Sequence, residues 1–157
     1  MPHIRPATVD DAAAISTVLL ASIRQLCVAD HQDDPAALAA WCAHKSPDDV
    51  RDWITSGTEL RVALQGNEIA AVGAFSAKGD ILLLYVGPGF QGQGHSAALL
   101  AAMEDELAAL GLYTAHLTST GTAHGFYLAK GWQDNGPQSD CYLTAGQPMR
   151  KHLIAQT

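Results

Sequence analysis

Cysteine is scarce in this chain of 157 residues: only Cys27, Cys42 and Cys141 occur, widely spaced and odd in number. Without a C-x-x-C pair they predict neither a disulfide framework nor a zinc site. The seven histidines also lack the close spacing that metal ligands show in a sequence. We therefore expect no bound metal ion.

Positive charge is also sparse. Nine lysines and arginines stand against sixteen aspartates and glutamates, the net charge is −7, and the basic residues are scattered along the chain. Because a nucleic-acid surface requires a clustered positive face, we expect no nucleic-acid partner. The negative field favours a cationic substrate, such as an amine, over an anionic one.

Long apolar runs are missing as well. No stretch approaches the roughly 18 apolar residues of a transmembrane helix, and the first residues, MPHIRPATVDD, lack the apolar segment of a signal peptide. These absences predict no membrane contact and a cytoplasmic location. The length suits one domain with a sizeable core, so we expect residues 1–157 to form a single domain.

The clearest chemical signal lies in residues 80–111. The apolar run Ile81–Val86 predicts a central strand buried on both faces. A glycine-rich turn follows, and then a helix that Gly111 is expected to end in the left-handed conformation. The helix is indicated by apolar residues at helical spacing, namely Leu99, Met103, Leu107 and Leu110.

This order of strand, glycine loop and helix suits an anion. The first amides of a helix have no partner within it, and the helix dipole is positive there. Gly92 and Gly94 lack a Cβ, so a phosphate could approach the backbone closely. A tight turn that merely joins the two elements is the alternative.

The same residues resemble a known family. The stretch YVGPGFQGQGHSAALL is similar to the acetyl-CoA-binding segment of the GNAT superfamily of N-acetyltransferases, which reads V-x-P-x-[FY]-[RQ]-G-x-G-x-[GA]. Ser96 stands where that family usually has Gly or Ala. The matching residues are Val86, Pro88, Phe90, Gln91, Gly92 and Gly94.

A second resemblance follows about 30 residues later, at the separation that the family shows. The stretch STGTAHGFYLAKGW is similar to the GNAT pattern N-x-x-A-x-x-F-Y-x-x-x-G-[FW], with Thr120 where Asn is usual. The resemblance covers the whole chain, including its start, IRPATVDDAAAI. It implies an α/β (α+β) fold with a mixed, mostly antiparallel central sheet of about six or seven strands, flanked by about four or five helices.

Local signals place the other elements. Thr8, Asp34 and Ser46 are expected to cap helices, and Gly57 to end the last of the three. The remaining strands are predicted at His3–Pro6, Leu60–Leu64, Ile69–Phe75, Tyr113–Thr118, Cys141–Thr144 and Pro148–Ile154.

The resemblance also implies an activity, acetyl-CoA-dependent transfer of an acetyl group to an amine of a small molecule, amino acid or peptide. Tyr127 matches the tyrosine that often serves as general acid for the departing thiolate. The residues expected to hold acetyl-CoA (coenzyme A) are Val86, Gln91, Gly92, Gln93, Gly94, His95, Ser96 and Thr120. Those expected in the wall of the acceptor pocket are Arg24, Cys27, Asp30 and His31.

A general base is also needed, because an alkyl amine is protonated near pH 7. The sequence does not select one. The candidates, beside a water relay, are Asp30, His31, Asp80, His116 and His124. Whether the chain acts as a monomer or a homodimer is equally open.

Two alternatives compete with this interpretation. The chain could be a GNAT-like module that binds coenzyme A without catalysis and works through a partner. It could also be a dinucleotide-binding enzyme, since Gly92, Gly94 and Ala97 fit G-x-G-x-x-A. That fingerprint requires an acidic residue at the end of the next strand, and Tyr113–Thr118 has none.

Overall fold

The structure, a computed structural model, describes residues 3–141 and 144–153, which form six helices and eight strands. A 3₁₀ turn at Val9–Asp11 precedes the first helix. The helices are α1 (Ala12–Leu26), α2 (Val28–His31), α3 (Pro35–Cys42), α4 (Pro47–Thr55), α5 (His95–Ala109) and α6 (Gly121–Ala129). The strands are β1 (His3–Pro6), β2 (Glu59–Gln65), β3 (Glu68–Phe75), β4 (Ile81–Val86), β5 (Thr114–Ser119), β6 (Gln133–Asp134), β7 (Ser139–Cys141) and β8 (Thr144–His152).

The strands form two antiparallel groups that touch at one point. The first has the order β1-β2-β3-β4, and in the second β8 pairs with β5, β6 and β7. A single parallel bridge, between Asp80 and His116, joins β4 to β5, and the His116 amide donates to the Gly79 carbonyl at 2.9 Å. Beyond that bridge the sheet is split. The mixed, mostly antiparallel α/β fold expected from the sequence is confirmed.

The prediction that Ile81–Val86 is buried on both faces is wrong. Leu82 is 53% exposed, and the residues from Leu83 to Val86 are only partly buried. Strand β4 pairs with β3 along one edge, but β5 leaves its other edge after the bridge. The apolar side chains therefore border a cleft, which a run of apolar letters cannot distinguish from a core.

Helix starts were predicted well because they depend on local chemistry. The Asp34 carboxylate accepts from the Ala37 amide at 2.9 Å, and Pro35 occupies the first turn of α3. Ser46 forms a capping box with Asp49 at the start of α4. Thr8 caps the 3₁₀ turn rather than α1 itself.

The ends of the chain differ from expectation. The tail holds one long strand, β8, where two shorter strands were predicted, while β7 lies slightly earlier than expected and β6 was not predicted. Helix α2 was also missed, because four residues carry no periodicity. Residues 142–143 and 154, which the predicted tail strands included, lie outside the described residues.

The first sheet has a hydrophobic core on each face, and β4 contributes to both. Leu84 and Val86 pack with the core formed around α5. Leu83 and Tyr85 pack with the core formed around α1. Successive side chains of a strand point to opposite faces, so β4 carries the boundary between two compartments.

Candidate functional site

A cavity of about 660 Å³ lies where the two groups of strands separate. Its walls include all of β4 and the β5 residues 116–119. Gln91 and Ser96 line it from the glycine loop, and Tyr127 lines it from α6. The volume is in the range of a small-molecule site. The split of the sheet thus connects the loop to the predicted acid through one space.

The backbone of the glycine loop is open toward a ligand. The Phe90 amide donates to the Gly87 carbonyl and the Ala98 amide to the Gly94 carbonyl, both at 3.0 Å. Between them, the seven amides of residues 91–97 donate to no acceptor within the part of the chain that the structure describes. Such a row of unpaired donors before a 15-residue helix fits a phosphate or pyrophosphate group.

Glycine is required at two places in this row. Gly92 has φ of +72° and Gly94 has φ of +85°, a region that L side chains rarely adopt. A Cβ built on either residue would meet no atom within 4 Å. The space above these glycines is therefore free for a ligand rather than filled by protein.

The side chains of the loop divide into two kinds. Gln91 and Ser96 line the cavity. Gln93 is exposed and its amide donates to the Gly89 carbonyl at 3.3 Å. His95 points inward with 4% exposure; its Nε2 lies 2.9 Å from Oε1 of Gln65, and its buried Nδ1 has no partner among the described residues. Only the backbone of His95 faces the anion loop.

Further amides point into the split from β4. The Gly87 amide donates to the Ala70 carbonyl at 2.7 Å, in register with the pairing of Val86 and Ala71. In an antiparallel ladder such bonds recur at every second residue. The amides of Leu84 and Val86 therefore point away from β3, toward the cavity, where one of them could polarise a carbonyl oxygen.

Thr120 serves as a helix cap at the second motif. Its Oγ1 accepts from the Ala123 amide at 3.1 Å, which is the bond that an Asn side chain could also accept. The Ser119 hydroxyl donates to the Thr120 carbonyl at 2.7 Å and fixes the preceding turn. Both residues line the cavity.

Tyr127 is held in the core at the wall of the cavity. Its side chain is 6% exposed and packs edge-on against Phe126 and Trp132, with ring centroids 5.3 and 6.0 Å away. Burial raises the pKa of the Tyr127 phenol well above its ordinary value. The hydroxyl therefore stays protonated at neutral pH, which is the state that a general acid needs.

The residues predicted for the acceptor wall are not brought together. Cys27 lines the cavity, and burial, with smaller contributions from Asp30 and Cys42, raises the pKa of its thiol to about 12. It is thus a neutral thiol rather than a nucleophile. Arg24 is exposed and lies outside the lining of the cavity.

Asp30 and His31 have structural partners. The Asp30 carboxylate accepts from the amides of Gly121 and Thr122, and from the Thr122 hydroxyl, so it caps α6 from a distance of about 90 residues along the chain. His31 is 2% exposed; its Nε2 donates to the Ile23 carbonyl at 2.8 Å and its Nδ1 accepts from the Asp33 amide at 3.0 Å. Neither residue lines the cavity.

Replacing Asp30 with alanine should separate this cap from a role in proton transfer. Loss of the bonds to α6 is expected to lower the free energy of unfolding by about 1–2 kcal/mol, measured by urea denaturation. Asp52→Ala, at an exposed position of α4, is the control and should change it far less. A general base would instead show an unchanged free energy of unfolding and a large fall in turnover, and that result would contradict the cap.

Among the predicted bases, Asp80 and His116 line the cavity, at the bridge between β4 and β5. His124 lies outside it and its Nε2 is 2.7 Å from the Asp134 carboxylate. The cavity therefore leaves the bridge pair and water as routes for the proton of the amine.

Sequence reasoning missed three residues of the cavity wall: Trp41, Lys45 and Tyr85. The Trp41 Nε1 donates to the Tyr85 hydroxyl at 2.8 Å, and Lys45 Nζ donates to the Trp41 carbonyl at 2.6 Å. Trp41 was assigned to the core, where it does lie, and no motif marked Lys45. A lysine between two helices gives no sequence signal of burial.

An antiparallel sheet split at one strand, with a glycine loop and helix at the split, defines the class of acetyltransferase folds. The model of the acetyltransferase (GNAT) domain family matches residues 15–153 of this chain. The chain belongs to the GNAT acetyltransferase family. The dinucleotide alternative is wrong, because it requires a parallel, doubly wound sheet.

Solved structures share the fold. A GCN5-related N-acetyltransferase from Rhodopseudomonas palustris is 23% identical, with a TM-score of 0.87 over 98% of this chain and 96% of that one. The PaiA N-acetyltransferase of Thermoplasma acidophilum, solved with coenzyme A, is 16% identical, with a TM-score of 0.81 over 97% and 99%. YncA of Salmonella typhimurium, solved with acetyl-CoA, is 16% identical, with a TM-score of 0.71 over 100% and 96%.

A comparison with curated proteins found no match. Within residues 3–141 and 144–153, no three His, Cys, Asp or Glu side chains are grouped so that they could hold a metal ion. None of the helices described has the length and apolar character needed to span a bilayer.

Proposed function

We propose that this protein is an acetyl-CoA-dependent N-acetyltransferase that transfers the acetyl group directly to the amine of a small molecule, amino acid or peptide. One observation carries the proposal. A single cavity runs from the unpaired amides of the glycine loop, past the free edge of β4, to the buried hydroxyl of Tyr127. A long thioester that carries a pyrophosphate has the shape and charge for this path.

The loop would hold the pyrophosphate through the amides of residues 91–97. The outward amides of β4, near Val86, would accept the carbonyl oxygen of the thioester and stabilise the charge that develops on it. In an acidic protein these backbone donors supply the attraction that scattered basic side chains do not.

In the transfer, the amine nitrogen attacks the carbonyl carbon, the C–N bond forms and the C–S bond breaks. Tyr127 gives its proton to the departing sulfur and recovers one from solvent. The proton that the amine loses leaves through Asp80, His116 or water. Positioned proton transfer of this kind accelerates a reaction by roughly 10²–10⁴-fold.

Release of free thiol from acetyl-CoA, measured over a panel of amines, tests the proposal. We expect release that depends on the amine, and an acetylated amine in the product mixture. Acetyl-CoA at a hundred times its Kd should also stabilise the protein by about 2.7 kcal/mol, read as a rise in Tm.

The same assays address the non-catalytic alternative. A rise in Tm with no amine-dependent thiol release would indicate a module that binds coenzyme A without catalysis. No rise in Tm at saturating acetyl-CoA would contradict both. The replacements that gave this alternative weight, Ser96 and Thr120, are accommodated in the structure: Ser96 lines the cavity and Thr120 caps α6.

A further inference from the structure

The cavity has two compartments, one on each face of the first sheet. Tyr127, Leu84 and Val86 belong to the core around α5, whose N-terminus carries the glycine loop. Tyr85 packs on the opposite face, with Trp41 and the core around α1. If the thioester occupies the first compartment, the second is left for the acceptor. This step rests on the proposed function.

The acceptor compartment contains a buried cation. Lys45 is 6% exposed and lines the cavity. Its backbone carbonyl accepts from the Ser16 hydroxyl at 2.6 Å, and its Nζ donates to the Trp41 carbonyl at 2.6 Å. The side chain is therefore held in place from both ends. Among the described residues that line the cavity, Lys45 has the only side chain with a permanent positive charge.

The surroundings of this cation are neutral and mostly apolar or weakly polar. The nearby wall contains Ser22, Leu26, Cys27, Trp41 and Tyr85. Burial lowers the pKa of the Lys45 ammonium, so the charged form is disfavoured until an anion enters. A buried charge in a ligand cavity is stabilised by an opposite charge on the ligand.

We propose that Lys45 binds a carboxylate of the acceptor, and that the acceptors of this enzyme are therefore carboxylate-bearing primary amines, that is, free amino acids. The aromatic wall of Trp41 and Tyr85 receives the side chain of the acceptor. The amine is directed toward the split between β4 and β5, where it meets the thioester. Lys45 acts as a specificity-determining residue and takes no part in proton transfer.

The test measures equilibrium binding by titration calorimetry, with the protein saturated with coenzyme A so that no turnover occurs. The probes are leucine, methionine, phenylalanine and glutamine, each compared with its carboxamide. The wild type is expected to bind at least one acid about tenfold or more tightly than its amide, as a charge-assisted hydrogen bond implies. In Lys45→Gln this ratio should fall to about one.

Lys78→Gln is the matched control, because it removes the same charge from an exposed turn outside the cavity and should leave the ratio unchanged. If Lys45 serves only to hold the Trp41 carbonyl, Lys45→Gln weakens binding of acid and amide equally, and the proposal is overturned. Should Lys45→Gln fail to fold, the wild-type ratio and its retention in Lys45→Arg decide the matter.

Wild-type protein that binds the amides as tightly as the acids, or binds none of the four acids, also overturns the proposal. These outcomes are distinct from failure of the proposed function. Acetyl transfer could be absent while the binding ratio holds, and transfer to amines that lack a carboxylate could be efficient while the ratio is about one.

Discussion

Replacing Ser96 with aspartate is expected to abolish coenzyme A binding while leaving the fold intact. Ser96 is the second residue of α5 and lines the cavity beside the unpaired amides. A carboxylate in the first turn of a helix interacts favourably with the helix dipole, by about 0.3–1 kcal/mol, so the protein without ligand should be as stable as the wild type or more so.

The ligand meets the opposite effect. Two like charges 4 Å apart repel by about 4 kcal/mol at an effective dielectric constant near 20, which is about a thousandfold in Kd. Titration calorimetry with coenzyme A measures this loss, and thermal unfolding without ligand verifies the fold. Ser96→Asn, which has the same shape as aspartate without its charge, should retain most of the affinity. Equal binding by the Asp and Asn variants would show that no phosphate lies at this helix start.

Replacing Tyr127 with phenylalanine is expected to lower kcat by about 10²–10⁴-fold, because the acid that protonates the thiolate is lost. The ring contacts with Phe126 and Trp132 remain, so the fold and the rise in Tm with acetyl-CoA should be kept. Tyr113→Phe is the control: Tyr113 is 73% exposed and lies outside the cavity, so its kcat should equal that of the wild type.

An unchanged kcat in Tyr127→Phe would remove the hydroxyl from the chemistry and leave the thiolate to be protonated by water. A loss of the acetyl-CoA-dependent rise in Tm would instead mean that Tyr127 positions the ligand. Measuring kcat together with Tm therefore distinguishes catalysis from binding at this residue.

The parts of the site that the sequence revealed are those set by local backbone chemistry. Gly92 and Gly94 were identified because an anion loop requires residues without a Cβ, and both have positive φ. Caps such as Asp34 and Ser46 bond to amides three residues away, so their signals lie in a short stretch of sequence. The family resemblance then placed Tyr127, whose hydroxyl borders the cavity.

The parts that the sequence missed depend on contacts between distant residues. Asp30 was predicted to face the acceptor, and it caps α6, whose first residues are about 90 positions further along the chain. Lys45 lies among residues that α1, α3 and β4 bring together, and neither periodicity nor a motif marks it. Leu82 was expected in the core, because hydrophobicity alone does not show whether a strand borders protein or a ligand cleft.

The central claim is that the amides of residues 91–97 hold a pyrophosphate. An ¹⁵N–¹H NMR titration with coenzyme A, repeated with pantetheine, which lacks the phosphates, tests it residue by residue. The account predicts large, saturable shifts of these amides with coenzyme A and small ones with pantetheine. If the amides of the loop respond equally to both ligands, or to neither while shifts occur elsewhere, the glycine loop is not the anion site and the account is contradicted.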